Sequence, residues 1–231
     1  LRDCRALQNG GAQGCLLQSV DVIYPATDDT DYARVATLAM LSARVRHEMG
    51  PDFKIGVQLM WNCITPSLAA AKATGADFTR CSALVGATDS IFGRIESNPL
   101  KVMEYRNKIE AGGVAMISEI SGYHYKGEYD KANIQNLALS SMKVGADAVE
   151  VMAPSAEANE RLVRDIKEAN PHIPVILGGG TSVENCKERL RLADGALVGS
   201  CFEAGKWGGD IVESIVAAYM KNIRELEEEL A

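Results

Sequence analysis

Seven short apolar runs, rich in β-branched residues, alternate along this chain with longer stretches of helical character. The runs lie at 14–20, 54–60, 77–81, 114–120, 147–152, 174–177 and 195–198. None alternates strictly between polar and apolar side chains, as a half-exposed strand would. Each therefore reads as a parallel strand covered by helices. Helical stretches at 31–49, 66–73, 99–111, 130–144, 156–169, 182–192 and 209–230 fill the gaps, several of them closing at Gly or before Pro. Thr181-Ser182-Val183-Glu184 reads as a capping box for the sixth of these. Such alternation without an internal linker predicts one domain, residues 1–231, around a parallel sheet.

Three strand entries share one phrase: Gly75-Ala76-Asp77, Gly145-Ala146-Asp147 and Leu192-Ala193-Asp194-Gly195. A helix ends, a small residue packs, and Asp occupies the turn into the next strand. These aspartates read as structural, at the stability face of a barrel. The opposite face is marked in the C-terminal third. There one strand runs into Gly178-Gly179-Gly180-Thr181 and the next into Gly199-Ser200. Loops after the last two strands are where barrels of this class commonly hold phosphate. The expected fold is therefore a TIM (β/α)₈ barrel of the phosphate-binding type. A barrel takes about 250 residues and eight strands. This chain has 231, opens in a helical stretch at 1–8, and supplies seven runs. The first strand is expected to be missing from it.

Charge narrows the partners. With 24 Lys and Arg against 31 Asp and Glu, the net charge is −7, which argues against a general nucleic-acid binder. No apolar run is long enough to cross a membrane as a helix. The six cysteines, Cys4, Cys15, Cys63, Cys81, Cys186 and Cys201, form no CxxC pair and have no histidine at ligand spacing. No metal site is expected, and reduced thiols point to the cytoplasm or an organelle matrix.

Candidate site residues follow from the barrel rule that reacting groups project from the C-terminal ends of strands. Gln18, Ser19, Asn62, Arg80, Ser82, Glu119, His124 and Glu150 hold such positions. Arg80 is the most informative, because an unpaired guanidinium inside a strand would be very costly. It needs a carboxylate or an anionic ligand, and Glu119 is the expected carboxylate; a purely structural pair fits equally well. Glu119 serves as a general base if burial raises its pKa. His124 lies in the glycine-flanked loop 121–127. Gly178, Gly179 and Gly180, whose bare backbone is free to approach an anion, form the candidate phosphate cradle with Gly199 and Ser200, which supply a second backbone contact and a hydroxyl; the plainer reading is that the glycines only make tight turns. The segment 84–94 reads as a long binding loop, with Asp89 either touching ligand or capping a turn.

Several stretches resemble the BtpA/SgcQ family. They are Gly56–Asn62, Ala69-Ala70-Ala71, Gly75–Arg80, Gly86-Ala87-Thr88-Asp89, Tyr105-Arg106, Leu177–Asn185 and Ala193–Ser200. The resemblance runs over nearly the whole chain and implies a phosphate-binding TIM barrel. One branch of that family is linked to photosystem I biogenesis, and the other is described as an enzyme of undefined activity. Where the family tends to show Lys-His-Ala, this chain has Tyr123-His124-Tyr125; Gln18-Ser19 replaces an acidic-Asn pair, Ala153-Pro154-Ser155-Ala156 replaces Ser-Gly and Thr-Gly elements, and Glu203 stands where a Lys is expected.

The favoured reading is an enzyme or binding barrel acting on a small phosphorylated metabolite, a sugar phosphate or nucleotide-like compound. The alternative is an assembly or biogenesis factor using the barrel without catalysis. A structural subunit of a homo-oligomer is a third reading.

Overall fold

The computed structural model describes residues 1–20 and 23–231. In chain order its elements are α1 (Arg2–Asn9), β1 (Gly14–Gln18), α2 (Tyr32–Met49), β2 (Lys54–Gln58), α3 (Ile64–Thr74), β3 (Phe78–Cys81), β4 (Ala87–Ser90), β5 (Gly93–Glu96) and α4 (Pro99–Lys108). There follow β6 (Ala115–Ser121), α5 (Lys131–Val144), β7 (Ala148–Val151), α6 (Ala156–Ala169), β8 (Val175–Leu177), α7 (Cys186–Leu190), β9 (Gly195–Ala196) and α8 (Glu213–Leu230). Seven strands form one parallel, curled sheet in the order β1-β2-β3-β6-β7-β8-β9. Its outer face is covered by helices, which bury Ile55, Leu68, Cys81, Leu84 and Met116 on one side and Ile134, Val149, Ile166 and Val175 on the other.

The barrel is not closed. Among the described residues, β1 and β9 end the sheet and do not pair with each other. Between them lies a groove of about 670 Å³, lined by β1 and β9 and flanked by Cys4 and Leu7 of α1 and by Tyr219 and Met220 of α8. The expected barrel architecture is thus a curled parallel sheet of seven strands, open between β1 and β9 among the described residues.

Two local expectations also change. Segment 84–94 is not an irregular loop: β4 and β5 pair antiparallel, Thr88 opposite Ile95 and Asp89 opposite Arg94, around the tip Ile91-Phe92. Ile95 is fully buried, so one apolar residue anchors the hairpin although no hydrophobic period was visible. The helix expected from Ser182 begins only at Cys186, because the capping box does not form. The Ser182 hydroxyl donates to the Glu184 carboxylate at 2.6 Å, and the Ser182 N–H donates to Asn185 Oδ1 at 2.7 Å.

The repeated aspartates act as paired clamps. The Asp77 N–H donates to the Ile55 carbonyl at 2.7 Å, and its carboxylate accepts the Ile55 N–H at 2.8 Å. Asp147 does the same to Met116, and Asp194 to Val175, with all four distances at 2.8 Å. Each aspartate thereby adds one rung to the ladder before the next strand begins. A cation from the helix that precedes the clamped strand completes each clamp. Arg46 pairs with Asp77, Arg106 lies 3.8 Å from Asp147, and Lys167 lies 2.7 Å from Asp194. The same cations donate to the carbonyls of Phe53, Val114 and Ile173 at the strand entries. One chemical device therefore fixes the entry of three strand pairs. Asp147→Ala should lower the unfolding free energy by about 1.5–3 kcal/mol, the usual worth of a hydrogen bond to a charged group. Asp147→Asn, which keeps an acceptor oxygen, should lose less; urea denaturation of both variants checks this.

Candidate active site

Strand alternation places Phe78 and Arg80 on the inner face of β3. The register β3–β6 sets Arg80 beside Ile117, and β6–β7 sets Glu119 beside Glu150, so three charged side chains converge inside the curl. Arg80 is 7 % exposed, Glu150 1 % and Glu119 0 %. Arg80 binds Glu150 in a fork: Nε donates to Oε2 at 2.6 Å, and Nη2 donates to Oε1. Nη2 also lies 3.1 Å from Glu119 Oε2. The expected partner of Arg80 is therefore present, but Glu150 holds it more tightly, in the bidentate geometry that guanidinium groups favour.

Glu119 continues the chain of contacts. Its Oε2 faces His124 Nδ1 at 2.7 Å, while its Oε1 accepts the backbone N–H groups of His124 at 2.7 Å and Tyr125 at 3.2 Å. The loop after β6 thus folds back over its own strand, and the turn between Gly122 and Tyr125 closes it at 2.9 Å. His124 is 3 % exposed. Trp61 and Tyr123 pack edge-on against its ring, with centroids at 4.6 and 5.0 Å.

The two carboxylates are driven apart electrostatically. Burial pushes Glu150 up, and the nearby Glu119 charge adds to this; Arg80 pulls the other way, and the balance lies at about 7. Burial also opposes the Glu119 charge, but the His124 hydrogen bond and the Arg80 cation overcome it and hold this carboxyl below its usual range. A general-base role for Glu119 through a raised pKa is therefore not what its surroundings favour. It is an ionised anchor for His124, and Glu150 is the carboxyl that titrates near neutrality.

Gly178 makes room for Glu150. A Cβ there would overlap the Glu150 carboxylate, so the bare backbone is what lets Glu150 turn toward Arg80. The N–H groups of Gly179, Gly180, Gly199 and Ser200 donate to no acceptor among the described residues. Gly199 has open space where a Cβ would be. Arg80, Gly178 and Gly199 line the same groove, together with Gln18, Phe202 and Trp207.

Other expected residues lie apart. Asn62 uses its amide on the backbone of Ala83, accepting its N–H at 2.8 Å and donating to its carbonyl at 3.1 Å. Asp89 is exposed on the hairpin, 3.3 Å from Arg94. The Ser19 hydroxyl accepts the Met60 N–H, and the Ser82 hydroxyl donates to the Trp61 carbonyl. Gln58 was passed over inside an apolar run. It sits opposite Gln18 in the β1–β2 register, 1 % exposed, and its Oε1 has no hydrogen-bond partner among the described residues. A lone amide near the C-terminal end of a strand was the available signal. Among the described residues, no three His, Cys, Asp or Glu side chains group as a metal site, and no helix is long and apolar enough to cross a membrane.

The raised Glu150 pKa fixes a sign. Between about pH 4.5 and 7 the folded chain holds this proton more firmly than the unfolded chain, so its contribution to stability falls as pH rises. Glu119 acts oppositely: its contribution is present above its ordinary range and is lost as pH falls. The unfolding free energy of Glu150→Gln, relative to wild type, should therefore rise across pH 4.5–7 and level off above; a flat difference in urea titrations would contradict this. Arg80→Met, which leaves two buried carboxylates without their cation, should cost about 3–5 kcal/mol at neutral pH in the same assay.

Known proteins share both sequence and shape with this chain. The BtpA family matches residues 1–229. An uncharacterised protein of Thermococcus kodakarensis is 29 % identical over 100 % of this chain and 85 % of its own length. The photosystem I biogenesis protein BtpA of Synechocystis is 24 % identical over 97 % of this chain and 78 % of its own. In shape, N-(5′-phosphoribosyl)anthranilate isomerase from Pyrococcus furiosus aligns with a TM-score of 0.62 at 14 % identity, covering 97 % of this chain and 96 % of that one. That enzyme's likeness is one of TIM-barrel architecture. The sequence match over nearly all of its length makes this chain a member of the BtpA family.

Proposed function

We propose that this protein binds a small phosphorylated metabolite at the groove mouth and carries out proton transfer on it. The observation that carries this reading is the placement of Arg80. It is buried between Glu119 and Glu150, yet it lines a groove shared with Gly178 and Gly199. Its Nε and Nη2 are engaged, whereas Nη1 makes no hydrogen bond among the described residues. The free amides of Gly179, Gly180 and Gly199 supply donors for phosphate oxygens without a Cβ in the way, and Ser200 adds its N–H and a hydroxyl. The structural neighbours named for phosphorylated compounds, thiamine phosphate pyrophosphorylase and phosphoribosylanthranilate isomerase, support the same class of ligand.

In this reading His124 exchanges the proton. Its Nδ1 is held by Glu119, which leaves Nε2 for substrate. Glu150, with its pKa near 7, gains or loses a proton in the working range. Glu119 positions His124, and Arg80 keeps the two carboxylates together.

A second reading, an assembly factor, draws on the named role of the Synechocystis relative and on the bare hairpin tip, where Ile91 is 92 % exposed. A thermal-shift series with ribose 5-phosphate and inorganic phosphate separates the two. A ligand at about one hundred times its Kd adds about 2.7 kcal/mol, or roughly 5–10 °C for a chain of this size. Gly199→Asp places a negative charge in the cradle without a steric clash and should abolish that shift. Equal shifts in both proteins, or none in wild type, would remove the phosphate reading.

A further inference from the structure

Trp207 has no aromatic ring partner among the described residues. The other tryptophan, Trp61, makes ring contacts with Tyr24, Phe92, Tyr123 and His124, but no ring contact among the described residues involves Trp207. Trp207 is 77 % exposed and nevertheless lines the groove that holds Arg80, Gly178 and Gly199. A tryptophan can bury some 150–250 Å² of surface, so leaving one unpacked forgoes much of its usual stabilisation.

The loop that carries it is firmly built. Ala204, Gly205 and Gly208 all have left-handed backbone, with φ of 53°, 76° and 75°. The Gly205 N–H donates to the Ser200 carbonyl at 2.7 Å, the Gly208 N–H to the Glu203 carboxylate at 3.0 Å, and the Gly209 N–H to the Lys206 carbonyl at 2.9 Å. The first of these bonds ties the loop backbone, two residues before Trp207, to Ser200 of the cradle. Val20, 61 % exposed two residues beyond β1, lines the same groove, and buried Phe202 adds apolar surface there. The groove mouth therefore combines unused backbone donors with an unpaired aromatic face.

We propose that the ligand carries a planar aromatic ring joined to its phosphate-bearing part, and that Trp207 stacks on that ring. This rests on the phosphate reading and narrows it from phosphorylated metabolites in general to nucleotide-like ones. Stacking suits the position, because a π-face demands no particular hydrogen-bond pattern and the braced loop holds the Trp207 backbone beside the cradle.

The test is isothermal titration of AMP, UMP and ribose 5-phosphate into wild type, Trp207→Ala and Trp207→Phe. Wild type should bind both nucleotides more tightly than ribose 5-phosphate. Trp207→Ala should weaken nucleotide binding by about 5- to 100-fold, the 1–3 kcal/mol seen per stacked base. It should leave ribose 5-phosphate within about twofold. Trp207→Phe, which keeps an aromatic face, should hold nucleotides within about threefold of wild type. If ribose 5-phosphate binds while nucleotides gain nothing, or if Trp207→Ala leaves nucleotide affinity unchanged, the aromatic ligand is refuted and the phosphate reading stands; Trp207 then fits a protein contact better. If no phosphorylated probe binds wild type, both fall together.

Discussion

A guanidinium with almost no solvent, held between two carboxylates, sets the terms for the upper half of this molecule. Arg80 cannot be buried alone, and neither can Glu119 or Glu150. Their mutual satisfaction needs strands β3, β6 and β7 in one register and one sense of curl. It also needs a glycine at 178 and a loop at 121–127 that returns to cap the remaining Glu119 oxygen. Among the described residues, three positive or hydrogen-bonding partners surround Glu119 and only Arg80 serves Glu150, which is why two similar side chains in one cavity end with different proton affinities. A pair of carboxyls separated in this way is the usual preparation for acid–base work.

The lower half solves another problem with fewer parts. Parallel strands need their first residues aligned before any core is packed, and Asp77, Asp147 and Asp194 each hold both backbone groups of a residue on the preceding strand. Their cations come from the helix preceding that strand, so helix, strand and following turn are fastened at one point. Stability is thereby concentrated at the strand entries, leaving the exits to carry polar groups that would be unfavourable in an ordinary core.

Much of this was legible in the sequence because it follows from periodicity and local chemistry. The seven parallel strands fall within the apolar runs, and the three Ala-Asp phrases announce the clamps. Arg80 announced its need for a carboxylate by its position in β3. What could not be read was pairing across the curl. Choosing between Glu119 and Glu150 depends on where two strands far apart in sequence place their side chains, and Glu150 lies 70 residues from Arg80. The role of Gly178 was hidden for the same reason, since the atom that requires it belongs to another strand. The β4–β5 hairpin escaped because four-residue strands leave too little pattern, and Trp207 because exposure is a property of the fold.

Gly178 and Glu150 share a space that only one of them can fill. Any residue with a side chain at 178 displaces the carboxylate, and losing the carboxylate leaves Arg80 with a single, weaker partner. Neither position can therefore drift by itself over evolutionary time. Descendants of this sequence that lose the glycine are expected to shorten residue 150 and give up or re-pair Arg80 as well, so that the three positions change as a set.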